Sequence, residues 1–186
     1  MYANRHSTVL ANEDKNWYQL MMKIFTGIDP KVRKTIIENF IINASVKGMK
    51  RQNELKVQNN CDIPWAILMD TTSACNLHCT GCWATEYGNK LNLSPETWDS
   101  IIELGKQMGV YMFIYSGGEP LVRKKDIIRM CERHNDCIFL AFINGTLINE
   151  DFADEMLRVK ILFRLSALKA SPKRLIPVAE KDIMPQ

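Results

Sequence analysis

Hydrophobic positions follow two regimes along the chain, and the change comes near residue 60. Before it, apolar residues recur at helical spacing: Trp17, Leu20, Met21, Ile24 and Phe25 form one stripe, which Gly27 stops. Asp29-Pro30 then offers a capping side chain and a proline at the first helical position, where the missing N–H is no loss. The helix so started carries Val32, Ile36, Ile37, Phe40, Ile41 and Ala44 as its stripe. It weakens at Gly48 and gives way to a polar link from Arg51 to Asn60. The region is expected to be a helical arm, packed on the main domain or used in self-association.

From Pro64 strands and helices alternate. Almost wholly apolar runs predict strands over 65–69, 110–115, 138–143 and 160–165, of the kind buried on both faces of a parallel sheet. Between them, Ser94-Pro95-Glu96 starts a helix whose buried side is Trp98, Ile101, Ile102, Leu104 and Met108. A second helix carries Ile127, Ile128 and Cys131, and a third covers 150–157. This order specifies βα units with right-handed crossovers. Tyr111, Phe113 and Tyr115 alternate onto one strand face, read as packed core in preference to a substrate-facing wall. Beyond Leu165 the pattern fails, because Pro172, Pro177 and Pro185 fall within 166–186. The expected organisation is a helical extension over 1–60, an incomplete α/β core over 61–166 and an irregular Pro- and Lys-containing tail over 167–186.

Composition narrows the class. A hydrophobic content of 46% with 24% charged residues suits a soluble globular chain, and 186 residues suffice for one substantial core. The net charge of +3, spread without a single-sign block, gives no reason to expect nucleic acid. No apolar run reaches the length of a membrane span, and the segment from Met1 to His6 runs into polar sequence without a signal-peptide core. With no export signal, the six cysteines are read as thiols in a reducing, cytoplasmic setting. Cys131 and Cys137 flank His134. A second metal site there is the alternative to two small buried hydrophobes.

Chemistry concentrates in the loops that follow the strands, where α/β proteins place their sites. After the first strand, Cys75, Cys79 and Cys82 bring three soft thiolate donors within eight residues. Structural zinc and ordinary thiolate-ligated iron–sulfur centres take a fourth protein ligand. Three ligands alone leave the metal open to a small molecule; zinc completed by His78 or by a partner's side chain is the other reading. After the second strand comes Gly117-Gly118-Glu119-Pro120. Its glycines would let a ligand approach the backbone, with Glu119 fixing the loop or accepting from an ammonium; a plain strand-to-helix turn is the alternative. After the third strand, Asn144-Gly145-Thr146 is either a tight turn or a pocket wall.

The Cys-x3-Cys-x2-Cys loop after one strand and Gly-Gly-Glu-Pro after the next, about 35 residues on, resemble the radical S-adenosylmethionine (radical SAM) superfamily. The resemblance spans roughly residues 63–166. It implies an incomplete parallel (β/α) partial barrel, about four of six strands, and hence a truncated member. It further implies that Cys75, Cys79 and Cys82 ligate a 4Fe–4S cluster whose fourth iron is chelated by S-adenosylmethionine. Gly117, Gly118, Glu119 and Pro120 would line the methionine amino group, with Asn144 and Ser166 as further cofactor contacts. No protein side chain is assigned a catalytic role. The implied reaction is reductive cleavage to a 5′-deoxyadenosyl radical, with a low-potential donor such as ferredoxin or flavodoxin and an unidentified small-molecule substrate. Gly81 stands where many members carry an apolar adenine contact; Trp83 and Tyr87 are the substitutes considered. The alternative function is a catalytically inactive iron–sulfur or partner-binding module.

Overall fold

The structure, a computed structural model, describes residues 16–27, 29–159 and 162–166. The prolines of the tail, the first fifteen residues, and the side chains of Trp17, Leu20, Met21, Ile24 and Ser166 lie outside what is described. No helix among the described residues is long and apolar enough to cross a membrane.

Four strands, β1 (Ile67–Thr72), β2 (Met112–Gly117), β3 (Ile138–Ile143) and β4 (Leu162–Ser166), form one parallel sheet in the order β1-β2-β3-β4. Neighbouring pairs include Met69 with Tyr115, Tyr115 with Ala141 and Ile143 with Ser166. Helices α4 (Pro95–Gln107), α5 (Lys124–Arg133) and α6 (Glu150–Val159) make the connections. Each connection thus returns the chain to the same end of the sheet, and all strand carboxyl ends point toward the cysteine loop. The result is an open α/β partial barrel preceded by helices.

One sheet face is the core. Phe113, Tyr115 and Phe139 are fully buried there, stacked at 5.4 to 5.9 Å between centroids, with Trp98 of α4 edge-on to Tyr115 at 4.9 Å. Gly105 lets α4 approach: a Cβ there would lie 2.9 Å from the Phe113 ring. Phe113 and Tyr115 are therefore core, as their alternation predicts. The opposite face is bare in places, with Leu68 57% and Phe142 45% exposed.

The arm is more helical than its apolar pattern indicates. Helices α1 (Asn16–Gly27) and α2 (Pro30–Ile36) precede a widened π-type helix over Ile37–Gly48, and α3 (Met49–Asn59) follows it. Asp29 caps α2 by accepting from the Lys31 and Val32 amides. The stretch expected as a polar link is thus helical. Its polar residues hold the core: Arg51 donates to the Gln107 carbonyl and Gln52 to that of Gly109. Gly48 and Gly109 meet so closely that a Cβ on Gly48 would lie 2.4 Å from the Gly109 carbonyl oxygen. The arm packs on the main domain.

Candidate functional site

Residues 73–91 form a loop whose two ends are sewn together. The Ser73 amide donates to Leu91 O at 2.8 Å, the Leu93 amide to Thr71 O at 3.1 Å, and the Leu91 amide to the Ser73 hydroxyl. Thr72 Oγ1 bonds Asn92 Oδ1 at 2.7 Å. Arg123 ties this base to the helix layer. Its guanidinium donates to the Thr71 and Leu93 carbonyls, pairs with Asp126 at 2.8 Å and lies over the Trp98 ring. Arg123 and Asn92 do not stand out in the sequence, because the loop-base groups they bond lie tens of residues away in the chain: Thr71 and Leu93 for Arg123, beyond its near neighbour Asp126, and Thr72 for Asn92.

The loop presents Cys75, Cys79 and Cys82 as free thiols, Cys79 exposed and the other two partly so. Soft donors on one reachable loop suit an iron–sulfur cluster by their chemistry. Among the described residues, no three His, Cys, Asp or Glu side chains converge on a single point as they would around one ion. Cys61 is exposed and stands apart in sequence, whereas Cys131 and Cys137 are buried, their thiols pushed far up by desolvation. His134, between them in sequence, is fully buried and turns Nε2 to Asp99 at 2.9 Å, so it joins α5 to α4.

The Gly117–Pro120 segment lies directly against the cysteine loop. The Gly118 amide donates to Thr72 O and the Glu119 amide to Ala74 O, both at 2.8 Å. Gly117 has φ +112°, and a Cβ there would lie 2.2 Å from Thr72 O; one on Gly118 would lie 2.2 Å from Ala74 O. On the Cβ side, the room that glycine creates is thus filled by this chain's own backbone, while both glycines also line the cleft beside the loop. Glu119 is 1% exposed and acts as a loop fixer, Oε1 accepting from the Leu121 amide at 2.9 Å and Oε2 from the Asn144 amide at 2.6 Å. Burial raises its carboxyl above the ordinary glutamate value, against those two bonds. Pro120, buried, opens the short 3₁₀ turn Pro120–Arg123.

Asn144, after β3, closes an Asx turn by accepting from the Thr146 amide at 2.9 Å, with Gly145 at φ +78°. Its Nδ2 donates to Asn76 Oδ1 at 2.9 Å, and Asn76 Nδ2 donates to Thr146 Oγ1 at 2.7 Å. The tight turn therefore also contacts the cysteine loop. Ser166 ends β4 in register with Ile143, placing its backbone at the same end of the sheet. A cleft of about 580 Å³ opens between the loop and the ends of β1 and β2. Trp83 and Tyr87, exposed and edge-to-face at 5.8 Å, line it with Asp70, Lys90 and Gly118.

A family model describing the Radical SAM superfamily matches residues 69–178, more than half of the chain. An uncharacterized protein of Methanocaldococcus jannaschii is 28% identical over 109 residues, covering 54% of this chain and 37% of that one. The Fe-coproporphyrin III synthase of Methanosarcina barkeri is 30% identical over 103 residues, 52% of this chain and 25% of that protein. The chain thus spans well under half the length of these curated relatives. Among solved structures, Streptococcus suis SuiB bound to S-adenosylmethionine superposes with a TM-score of 0.51 at 17% identity, covering 80% of this chain and 33% of that one. SuiB bound to precursor peptide SuiA gives 0.50 at 20% identity, covering 63% and 27%. At these identities the likeness is one of fold.

Proposed function

The chain belongs to the radical SAM superfamily, and on that premise we propose that it binds a 4Fe–4S cluster through Cys75, Cys79 and Cys82 and uses it with S-adenosylmethionine. The observation that carries this reading is the seat of the three free thiols. They stand on a loop sewn at its base and bonded at Ala74 to the Glu119 amide, beside the bond from the Gly118 amide to the end of β1. When bound, the cluster would supply the electron that divides S-adenosylmethionine into methionine and a 5′-deoxyadenosyl radical, chemistry no side chain can provide. The residues of the chain bind and orient. Gly117, Gly118, Glu119 and Pro120 would face the methionine amino group through their backbone, since the Glu119 oxygens already accept from two amides. Ser166 would contribute from the end of β4, and Trp83 with Tyr87 would offer aromatic surface to the adenine. Residues 1–60 would serve as the arm of a core over 61–166. A cytoplasmic low-potential donor such as ferredoxin or flavodoxin, and a small-molecule substrate, complete the proposal.

The test is anaerobic reconstitution with iron and sulfide, followed by electron paramagnetic resonance. A 4Fe–4S signal that changes on adding S-adenosylmethionine supports the reading. About one zinc per chain without iron uptake overturns it. Alanine at any one of the three cysteines should abolish stable cluster binding, whereas Cys131→Ala should leave iron content unchanged.

The bare sheet face around Leu68 and Phe142 favours a second reading, a cluster-carrying module without turnover. Hydrogen-atom abstraction needs a radical shielded from water, which an open face does not supply. Chromatography of a dithionite-reduced reaction separates the two. Slow, uncoupled 5′-deoxyadenosine marks the module, and multiple turnovers with deuterium transferred from substrate mark the enzyme.

A further inference from the structure

The loops after β1, β2 and β3 are joined in a closed circuit. The Glu119 amide donates to Ala74 O, the Asn144 amide to Glu119 Oε2, and the Asn144 side chain to Asn76 Oδ1. Asn76 lies two residues beyond Ala74 and directly after Cys75, so the circuit returns to the loop it left. Thr146 doubles the last link: its hydroxyl accepts from Asn76 Nδ2 at 2.7 Å and donates to Asn144 Oδ1 at 2.8 Å. Asn144 spends its amide on Asn76 and its carbonyl oxygen on Thr146, so its side chain is engaged within the protein.

Cys75 and Cys79 are separated by Asn76, Leu77 and His78. Fixing the Asn76 amide therefore fixes the connection between two of the three thiols. A ligand loop held before the metal arrives loses less freedom on binding, and the partners that orient ligands govern retention of the metal. We propose that Asn144 and Thr146 are positioning residues for the cysteine loop, acting on Cys75 and Cys79 through the paired side chain of Asn76. This rests on the reading of those cysteines as cluster ligands, and it moves Asn144 from cofactor contact to loop clamp.

Two readouts test it, the first in the metal-free protein. Alkylation by iodoacetamide is followed by mass spectrometry at each cysteine, with exposed Cys61 as internal reference. Asn144→Ala and Asn76→Ala should each raise the Cys75 and Cys79 rates relative to Cys61 by about threefold or more, the order expected for a lost partly exposed hydrogen bond. The double variant should do little more than Asn76→Ala alone, because that change already removes both links to the turn. Thr146→Val should show a smaller rise, and Thr146→Ser, which keeps the hydroxyl, should restore the native rates. The second readout is iron release from reconstituted protein to a chelator, accelerated in the same order. Unchanged thiol rates in Asn144→Ala and Asn76→Ala, or additive effects in the double variant, overturn the clamp. If no cluster assembles in the native chain, the alkylation arm still decides the clamp, while the proposed function fails separately.

Discussion

The side-chain amide of Asn39 donates to the carbonyl oxygen of Cys137 at 2.8 Å, across 98 positions of sequence. It also reaches Asn135 O at 2.9 Å, and Asn43 one turn on donates to Asp136 O. One face of the π-type helix thus closes the turn before β3, supplying donors to its carbonyls. Asn39 is 3% exposed, and its bond to Cys137 O forms out of water. Asn39→Ala is expected to cost about 1–3 kcal/mol, the penalty for stranding the buried Cys137 carbonyl. Urea unfolding measures the cost. Hydrogen exchange should rise at the His134–Ile138 turn while the β2 amides stay protected; a loss spread evenly over the sheet would contradict local docking by Asn39.

Gly118→Ala should displace the cysteine loop. The new methyl would sit 2.2 Å from Ala74 O, a backbone atom, so relief requires one loop to move. Overpacking of this kind costs about 1–3 kcal/mol. Gly145→Ala is the control: φ there is +78° but nothing lies within 4 Å, so only left-handed strain remains, roughly 1 kcal/mol. Melting and reconstituted iron content should both fall for Gly118→Ala, with iron content kept in Gly145→Ala. Equal iron loss in the two would remove the steric explanation.

Much of this architecture is legible in the chain's pattern of apolar positions. β3 runs over Ile138–Ile143 as its apolar run predicts, and α4 buries Trp98 and Ile102. β1 instead starts two residues late and ends at Thr72, because Trp65 leaves the sheet to meet Phe40 at 6.3 Å while the buried Thr71 and Thr72 extend the strand. α3 carries no such pattern for a related reason: Arg51 and Gln52 dock it through hydrogen bonds, which leave no apolar stripe. At the site, the cysteines and Gly117–Pro120 stand out by spacing. Asn76, Asn92 and Arg123 do not, since ordinary polar residues gain their meaning from partners the fold brings close.

Arg123 is such a residue, and Lys is not its equivalent. The guanidinium reaches the Thr71 and Leu93 carbonyls while pairing with Asp126 through two nitrogens, and an ammonium on a longer flexible stem lacks that fork. Arg123→Lys is expected to lower stability by about 1–2 kcal/mol. Exchange should quicken at the Ser73 and Leu93 amides that sew the loop base. Native protection there would show that the loop base holds without Arg123.

Glu119 makes stability depend on pH in the metal-free chain. Burial raises its folded value above the unfolded one, so between the two the native state holds the proton more firmly. The sign follows: this group's favourable contribution is complete below the unfolded value, declines as pH rises through the folded value, and is level above it. Glu119→Gln should flatten that part of the profile. It should also lower stability at neutral pH, because one of the Leu121 and Asn144 amides would then face an NH2 group. Urea midpoints across the weakly acid range measure both; a native-like slope in Glu119→Gln would assign the dependence to another group.

The six cysteines should divide into two kinetic classes. Nucleophilic attack on iodoacetamide needs an accessible thiolate. Cys61 and Cys79 are exposed, Cys75 and Cys82 partly so, and none is tied in a disulfide. Cys131 and Cys137 are fully buried, and desolvation, aided by the nearby carboxylates of Glu132 and Asp136, holds both in the thiol form far above neutral pH. Their sites lie at the end of α5 and beside the start of β3, so exposure requires parting the sheet from its helices. At pH 8 the first four should alkylate promptly in the metal-free protein. Cys131 and Cys137 should follow only at the unfolding rate and accelerate together as urea rises. After anaerobic reconstitution, Cys75, Cys79 and Cys82 should become protected while Cys61 keeps its rate. Protection of Cys61 alongside them, or of any two without the third, would require a different ligand set.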